Sequence, residues 1–293
     1  MLFTLLAMTA YALQNLSARE YGHKFPSGIV SQAYMIAFSM LAECALMAAL
    51  GGAKLLSGTG WLLAAAYGVS FTGAMSTMTL AMGCGELGIT VLIINSSLVV
   101  SVILGFTIWG DPISAYKLIG IALILVLLVL SSKSDNETKS EAGKREKLKW
   151  LLLTFACFFG NSLCAFLQTL ETRANPDIST AVFSFWASVA ALLSSVLILL
   201  VFRAKGDRSH ILSIAPKIFL LLCVGIGAGT AGGDGLTLEA LKRLDSSIVY
   251  PVRMGSLVLL MWLIGVVFYK EKVTRRGIVM LACGLAGIVL LNL

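Results

Sequence analysis

Residues 131–149 read SSKSDNETKSEAGKREKLK, with six Lys or Arg, four Asp or Glu and one strong hydrophobe, Leu148. The surrounding chain has the opposite character. Over all 293 residues, 58% are apolar, only 13% are charged and the mean hydropathy is +0.92. Water-soluble domains are nearer half apolar and a quarter charged, because their outer shell must be polar. Working outward from 131–149, apolar runs of spanning length fall at 1–18, 27–50, 60–82, 86–107 and 113–132 on one side. On the other side they fall at 150–171, 177–202, 213–241, 245–268 and 273–291. Each is long enough for the ~20-residue helix that crosses a bilayer, and too long and unalternating for the ~10-residue strand of a barrel. In lipid only helices and closed barrels satisfy their own backbone. The pattern predicts an all-α integral membrane protein of ten transmembrane helices. A first unit (1–132) and a second (148–293) are joined by a polar linker (133–147).

The two units repeat one another. GELGITVLIINSSLVVSVILGFTIWGDPIS at 85–114 lies without a gap over DSSIVYPVRMGSLVLLMWLIGVVFYKEKVT at 245–274. Ser96 falls on Ser256, Gly105 on Gly265, Asp111 on Glu271, Ile113 on Val273 and Ser114 on Thr274. Earlier in each half, Asn15 matches Asn161 and Pro26 matches Pro176. A repeat of five helices forces the second copy to enter the membrane inverted. Inverted repeats characterise carriers that rock one half against the other about a midplane site.

The acid, β-branched and hydroxyl residues of each turn (Asp111-Pro112-Ile113-Ser114 and Glu271-Lys272-Val273-Thr274) precede a helix containing Gly120 or Gly287. With Tyr250-Pro251-Val252 opening helix nine, this pattern resembles the EamA repeat of the drug/metabolite transporter superfamily. The resemblance extends over nearly the whole chain in helix count and duplication. It implies a ten-helix carrier of small metabolites in the plasma (inner) membrane, driven by protons, exchange or the substrate gradient.

The formal charge of +7 does not indicate nucleic acid, because the basic residues sit in short tracts between apolar runs. They read as topology determinants. Segments after helices 1, 3, 5, 7 and 9 carry 16 Lys or Arg, against five on the other side (Lys54, Lys117, Arg173, Lys242 and Arg243). The positive-inside rule places the 131–149 segment in the cytoplasm and both termini outside; the resemblance implies termini inside. The six cysteines fall in or beside apolar runs with no CxxC, and read as small packing residues. His23 and His210 are expected in loops. No metal site, cofactor or catalytic residue is predicted, and the expected partners are the lipid bilayer and a small-molecule substrate, the chain being a monomer or weak homodimer.

Each ionisable side chain at a helix centre costs roughly 2.5–3.5 kcal/mol on insertion scales, so each needs a reason. Glu43, Asp234 and Arg253 lie at similar depth, on the order of 10 Å below the face with few basic residues, given ~1.5 Å of rise per residue. Glu239 is near its helix end and reads as interfacial. Arg253 and Asp234 have two readings: an ion pair tying helix eight to helix nine, or a cavity in which Arg253 anchors an acidic substrate group. Glu43, with Asp234, is a candidate for proton or ion coupling, since a carboxylate withdrawn from water resists being charged. The run Gly225–Gly235, with six glycines in eleven residues, predicts close helix packing or an unwound turn beside a cavity. Asn15, Asn161, Asn95, Ser96, Ser256 and Tyr250 complete the expected substrate lining. The rival classes are a membrane-embedded enzyme, for which no cluster of titratable groups is visible, and a channel without a carrier cycle.

Overall fold

Long runs of Leu, Ala, Met and Ile, punctuated by Gly and Pro, form ten helices among the described residues of a computed structural model. The structure describes residues 2–25, 28–56, 58–84, 90, 93–112, 114–132, 144–204, 215–268 and 275–291. In chain order the helices are α1 (Leu2–Lys24), α2 (Ile29–Ala49), α3 (Gly60–Cys84), α4 (Leu98–Thr107) and α5 (Ala115–Ser132). The second half supplies α6 (Lys144–Ala174), α7 (Thr180–Ala204), α8 (Pro216–Leu241), α9 (Ser246–Phe268) and α10 (Arg275–Leu290). Five contain a segment long and apolar enough to cross a membrane: α2, α6 over Lys147–Ala174, α7 over Thr180–Phe202, α8 and α9.

Three boundaries differ from the sequence expectation. α6 begins at Lys144, inside the expected linker, because Lys, Arg and Glu are good helix formers and carry the helix out beyond its apolar part. α1 continues to Lys24, so His23 lies in its last turn and not in a loop; His210 is outside the described residues. The fourth span is interrupted. Residues 93–95 are helical, Ser96 and Ser97 form a turn, and Ser97, Val99 and Val100 bond to carbonyls three residues back. Asn and Ser side chains compete for nearby backbone groups, which weakens a helix at such a point.

The packing pattern is ordered. Take α6–α10 as counterparts of α1–α5. Then α1 packs on α8 as α3 packs on α6, α3 on α7 as α2 on α8, and α1 on α9 as α6 on α4. The pairs α2–α7, α4–α9 and α5–α10 are their own counterparts. Exchanging the halves therefore returns each of these pairings. Departures are confined to α8 and α9, whose further contacts with α5, α6 and α10 have no equally extensive counterpart among the described residues. Small residues permit the close approaches. Gly120 and Gly287 face each other across α5 and α10, and a Cβ on either would sit about 3 Å from the other's carbonyl oxygen (2.9 and 3.1 Å).

α8 is helical throughout the glycine-rich run, so the unwound turn is not found. The glycines serve contact instead. A Cβ on Gly229 would lie 2.6 Å from the Gln14 amide nitrogen and 2.7 Å from the Ala10 carbonyl of α1, and one on Gly227 would collide with the Ser39 carbonyl of α2. Gly227→Ala is therefore expected to lower the melting temperature in detergent, with overpacking of about 1–3 kcal/mol exceeding the helix-propensity gain of about 1 kcal/mol. Gly73→Ala, where a Cβ meets nothing within 4 Å, supplies the control and is expected to be neutral or stabilising. Equal melting shifts for the two would refute the packing role.

The four connections after α2, α4, α6 and α8 meet at one end of the bundle, where polar side chains tie them together. Arg173 Nη2 is 2.7 Å from Asp111 Oδ1, and Lys117 Nζ is 3.1 Å from Asp245 Oδ2. Asp111 Oδ2 accepts from Ser246 Oγ at 3.1 Å and from the Ser247 N–H at 3.2 Å, so this carboxylate caps the start of α9. Lys242 Nζ donates to the Ile178 carbonyl at 2.8 Å, and Thr180 Oγ1 to Glu239 at 3.3 Å. Glu239 also pairs with Arg243 at 3.9 Å, as an interfacial residue would. Glu271, the repeat counterpart of Asp111, is outside the described residues.

Candidate functional site

Asp234 lies seven residues before the end of α8, buried among helices from both halves. Three donors converge on it. Tyr11 of α1 donates a very short hydrogen bond to Oδ1, Gln168 Nε2 of α6 donates to the same oxygen at 3.1 Å, and Tyr67 of α3 donates to Oδ2 at 2.7 Å. Gln168 Nε2 also reaches the Tyr67 hydroxyl at 3.1 Å, which closes the network on itself. A buried polar group without partners would cost several kcal/mol; here a buried carboxylate is surrounded by donors.

Arg253 does not pair directly with Asp234. Its Nη1 donates to the Tyr11 hydroxyl at 2.8 Å, and its guanidinium carbon stands 4.8 Å from the Tyr11 ring centre and 5.3 Å from that of Tyr250. Tyr11 is therefore a bridge, accepting from Arg253 and donating to Asp234 through one oxygen. Tyr250 is held in turn: its hydroxyl donates to the Ala165 carbonyl at 2.7 Å and meets Thr169 Oγ1 at 3.2 Å. The guanidinium thus lies within cation–π reach of two tyrosine rings and hydrogen-bonds to one of them.

Beside Asp234, toward the middle of the bundle, is a small cavity with room for about one water molecule. Asp234, Glu43, Tyr67, Phe71, Ser188 and Thr230 are among its lining residues. Glu43 is 3% exposed. It makes no hydrogen bond or ion pair among the described residues, although Ser188 and Cys44 beside it bond to each other at 3.1 Å. The Asp234 carboxylate shares the cavity wall with it. Arg253 is not part of the lining.

The structure thus brings together four of the residues expected from sequence: Asp234, Arg253, Tyr250 and Glu43. It separates the others. Asn15 is on the exposed face of α1, while its neighbour Gln14 is buried against α8. Among the described residues the side-chain hydrogen bond of Asn161 is from Nδ2 to Cys157 Sγ, at 3.8 Å one turn away on its own helix. Asn95 and Ser96 are partly buried at the interruption before α4 and are not in the cavity wall. Ser256 is buried with its hydroxyl unpartnered on α9, also away from the cavity. Matching position does not place Asn15 or Asn161 in a shared site, and in the register that pairs them Tyr11 and Gln168 have the non-polar counterparts Cys157 and Gly22.

Tyr11, Tyr67 and Gln168 were not among the expected residues. A hydroxyl or amide in an apolar span carries no formal charge, and many such groups bond locally, as Ser162 and Thr169 do to carbonyls four residues back. Three polar side chains six to nine residues from the helix ends at one end of the bundle are a recognisable signal only after Asp234 fixes the depth. Among the described residues no group of three His, Cys, Asp or Glu could hold a metal ion.

No protein-family profile matches the chain, and no curated protein matches it. A solved structure described only as a crystal structure of a protein superposes over 100% of this chain and 97% of its own length, with a TM-score of 0.74 at 15% identity. At that identity the likeness is one of fold.

Proposed function

We propose that this chain is a secondary transporter of the EamA type, moving a small polar metabolite across the plasma (inner) membrane by alternating access. In this reading the ten helices span the bilayer as two inverted five-helix repeats. The observation that carries it is the position of the buried polar network. Asp234 and its partners come from α1, α3, α6, α8 and α9, so the site straddles both halves of a bundle whose contacts are preserved when the halves are exchanged. A site shared between two similar halves changes its access when one half tilts against the other. The ties joining Asp111, Arg173, Lys117 and Asp245 lie between that site and one end of the bundle, and act as the closed gate of that end.

An enzyme would need a nucleophile with an adjacent base, or metal ligands, and the lining described contains neither arrangement. Purified protein in liposomes is expected to show saturable uptake and counterflow for one solute class in a metabolite panel. Asp234→Asn should reduce that flux by about 10–100-fold, since hydrogen bonds to a charged group contribute ~1.5–3 kcal/mol each and the amide cannot accept from all three donors. Non-saturating flux would replace the carrier reading with a channel, and product formation would replace it with an enzyme.

A further inference from the structure

Three ionisable groups meet at this site, and their charges do not balance. Asp234 is matched by Arg253 through the shared Tyr11 hydroxyl. Glu43 has no such match. It is almost completely buried, has neither donor nor cation among the described residues, and faces the cavity across from a second carboxylate. A bare carboxylate in low dielectric beside a like charge is strongly unfavourable unless a proton or a cation joins it. The site is one positive charge short.

The lining indicates which cation. Tyr67 and Phe71 are stacked, with ring centres 6.2 Å apart and planes at 20° or so (21°), and both line the cavity with Glu43. Aromatic faces attract ammonium and guanidinium groups within about 6 Å. Both Asp234 oxygens are already taken by three donors, so the open side-chain oxygens are the two of Glu43 and the hydroxyls of Ser188 and Thr230, too few for a divalent ion, which takes six or more. The three donors on Asp234 leave Glu43 as the open acceptor.

We infer that the cavity binds the ammonium group of a small organic amine, with Glu43 as its counter-ion and Tyr67 and Phe71 as its wall, in competition with a proton on the same carboxylate. This rests on the carrier reading and gives it a substrate class: an amine exchanged for a proton. It also reverses the sequence expectation of an acidic substrate, because Arg253 is not part of the cavity wall and the charge presented to the cavity is negative.

The test uses purified full-length protein in detergent and benzylamine as the probe, with benzoate and benzyl alcohol as its anionic and neutral counterparts. Benzylamine should raise the melting temperature, as ligands of a native state do, and the two counterparts should not. Its apparent affinity should fall as pH is lowered from about 8 to 5, by up to tenfold per unit for one competing proton, while the amine itself stays charged below a pKa of about 10. The titratable and charged groups around Glu43 are Asp234 of α8 and Tyr67 of α3 in the cavity wall and Cys44 on its own helix, with Tyr11 of α1 and Arg253 of α9 joined to it only through Asp234. Glu43→Gln must remove both the binding and its pH dependence. Benzoate binding without benzylamine binding overturns the inference, as does benzylamine binding that survives Glu43→Gln. If Glu43→Gln does not fold, a pH-independent affinity in the unaltered protein overturns it as well. Benzylamine binding with no flux of any solute would end the carrier reading and leave the cation site standing. Saturable flux of acids with no effect of benzylamine would do the reverse.

Discussion

Arg253→Ala is expected to destabilise the bundle by about 3 kcal/mol, measured by melting or denaturant unfolding in detergent. The substitution leaves the Asp234 carboxylate buried without its compensating cation, and breaking such a pair by removing one partner costs ~3–5 kcal/mol when both are fully enclosed. Arg253 is only partly buried, which places the effect at the lower end. Asp234→Ala should cost a similar amount, and the double substitution should recover much of the loss. A direct ion pair would behave the same way up to this point. The difference lies in Tyr11, since one hydroxyl connects the two charges. Tyr11→Phe should therefore remove most of the coupling between positions 234 and 253 in a double-mutant cycle. Coupling that persists unchanged in the Tyr11→Phe background would refute the bridge.

The second large effect is expected at Asp111. Asp111→Ala removes a cap from the start of α9 and a partner from Arg173 together. Losing a cap costs typically ~1 kcal/mol, and the ion pair adds an amount reduced by solvent because Arg173 is 34% exposed. With the Ser246 hydroxyl and Ser247 amide left unsatisfied, the total should be about 2–3 kcal/mol. Asp111→Asn separates the parts. Asn is a good cap but carries no charge, so it should lose about 1 kcal/mol only. Equal losses for Ala and Asn would show that the capping geometry contributes nothing. Under the proposed carrier reading both should shift the balance between the two access states in a transport assay, because they loosen the end of the bundle where these ties lie.

The all-helical class and the rough placement of the helices were legible because apolar runs and their Pro, Gly and polar breaks are local properties. The recurring acid of the repeat was legible as a pattern, and its purpose was not. Asp111 acts on α9, more than 130 residues away, and Gly105 is small because a Cβ there would stand 2.7 Å from that carboxylate. Neither fact has a local signature. The site was half legible. Glu43, Asp234 and Arg253 stood out because charge in an apolar span is costly, yet their arrangement depended on three neutral partners. The pairing of Asn15 with Asn161 misled, since a duplicated position specifies a place on the backbone and not the rotation of the helix. One residue's shift decides the matter: Gln14 is buried against α8 where Asn15 is exposed.

The contact pattern bears on how the molecule is made. α1 packs chiefly on α8, α2 on α7, α3 on α6 and α7, and α5 on α10, whereas within the first half the extensive contact among the described residues is α2 with α3. When the ribosome has delivered the first five helices to the membrane, the surfaces that will hold them have not yet been synthesised. Lipid, or an insertase, must cover those faces until α6–α10 arrive, and Gly120 must wait for Gly287, the width of nearly the whole second half away along the chain. The nascent first half is a set of inserted but unassembled helices, and assembly is a late step that interleaves two halves already in the bilayer. Chains cut within 133–143 and synthesised as two pieces should consequently still find each other there, because the covalent link contributes proximity and the recognition lies in the helices.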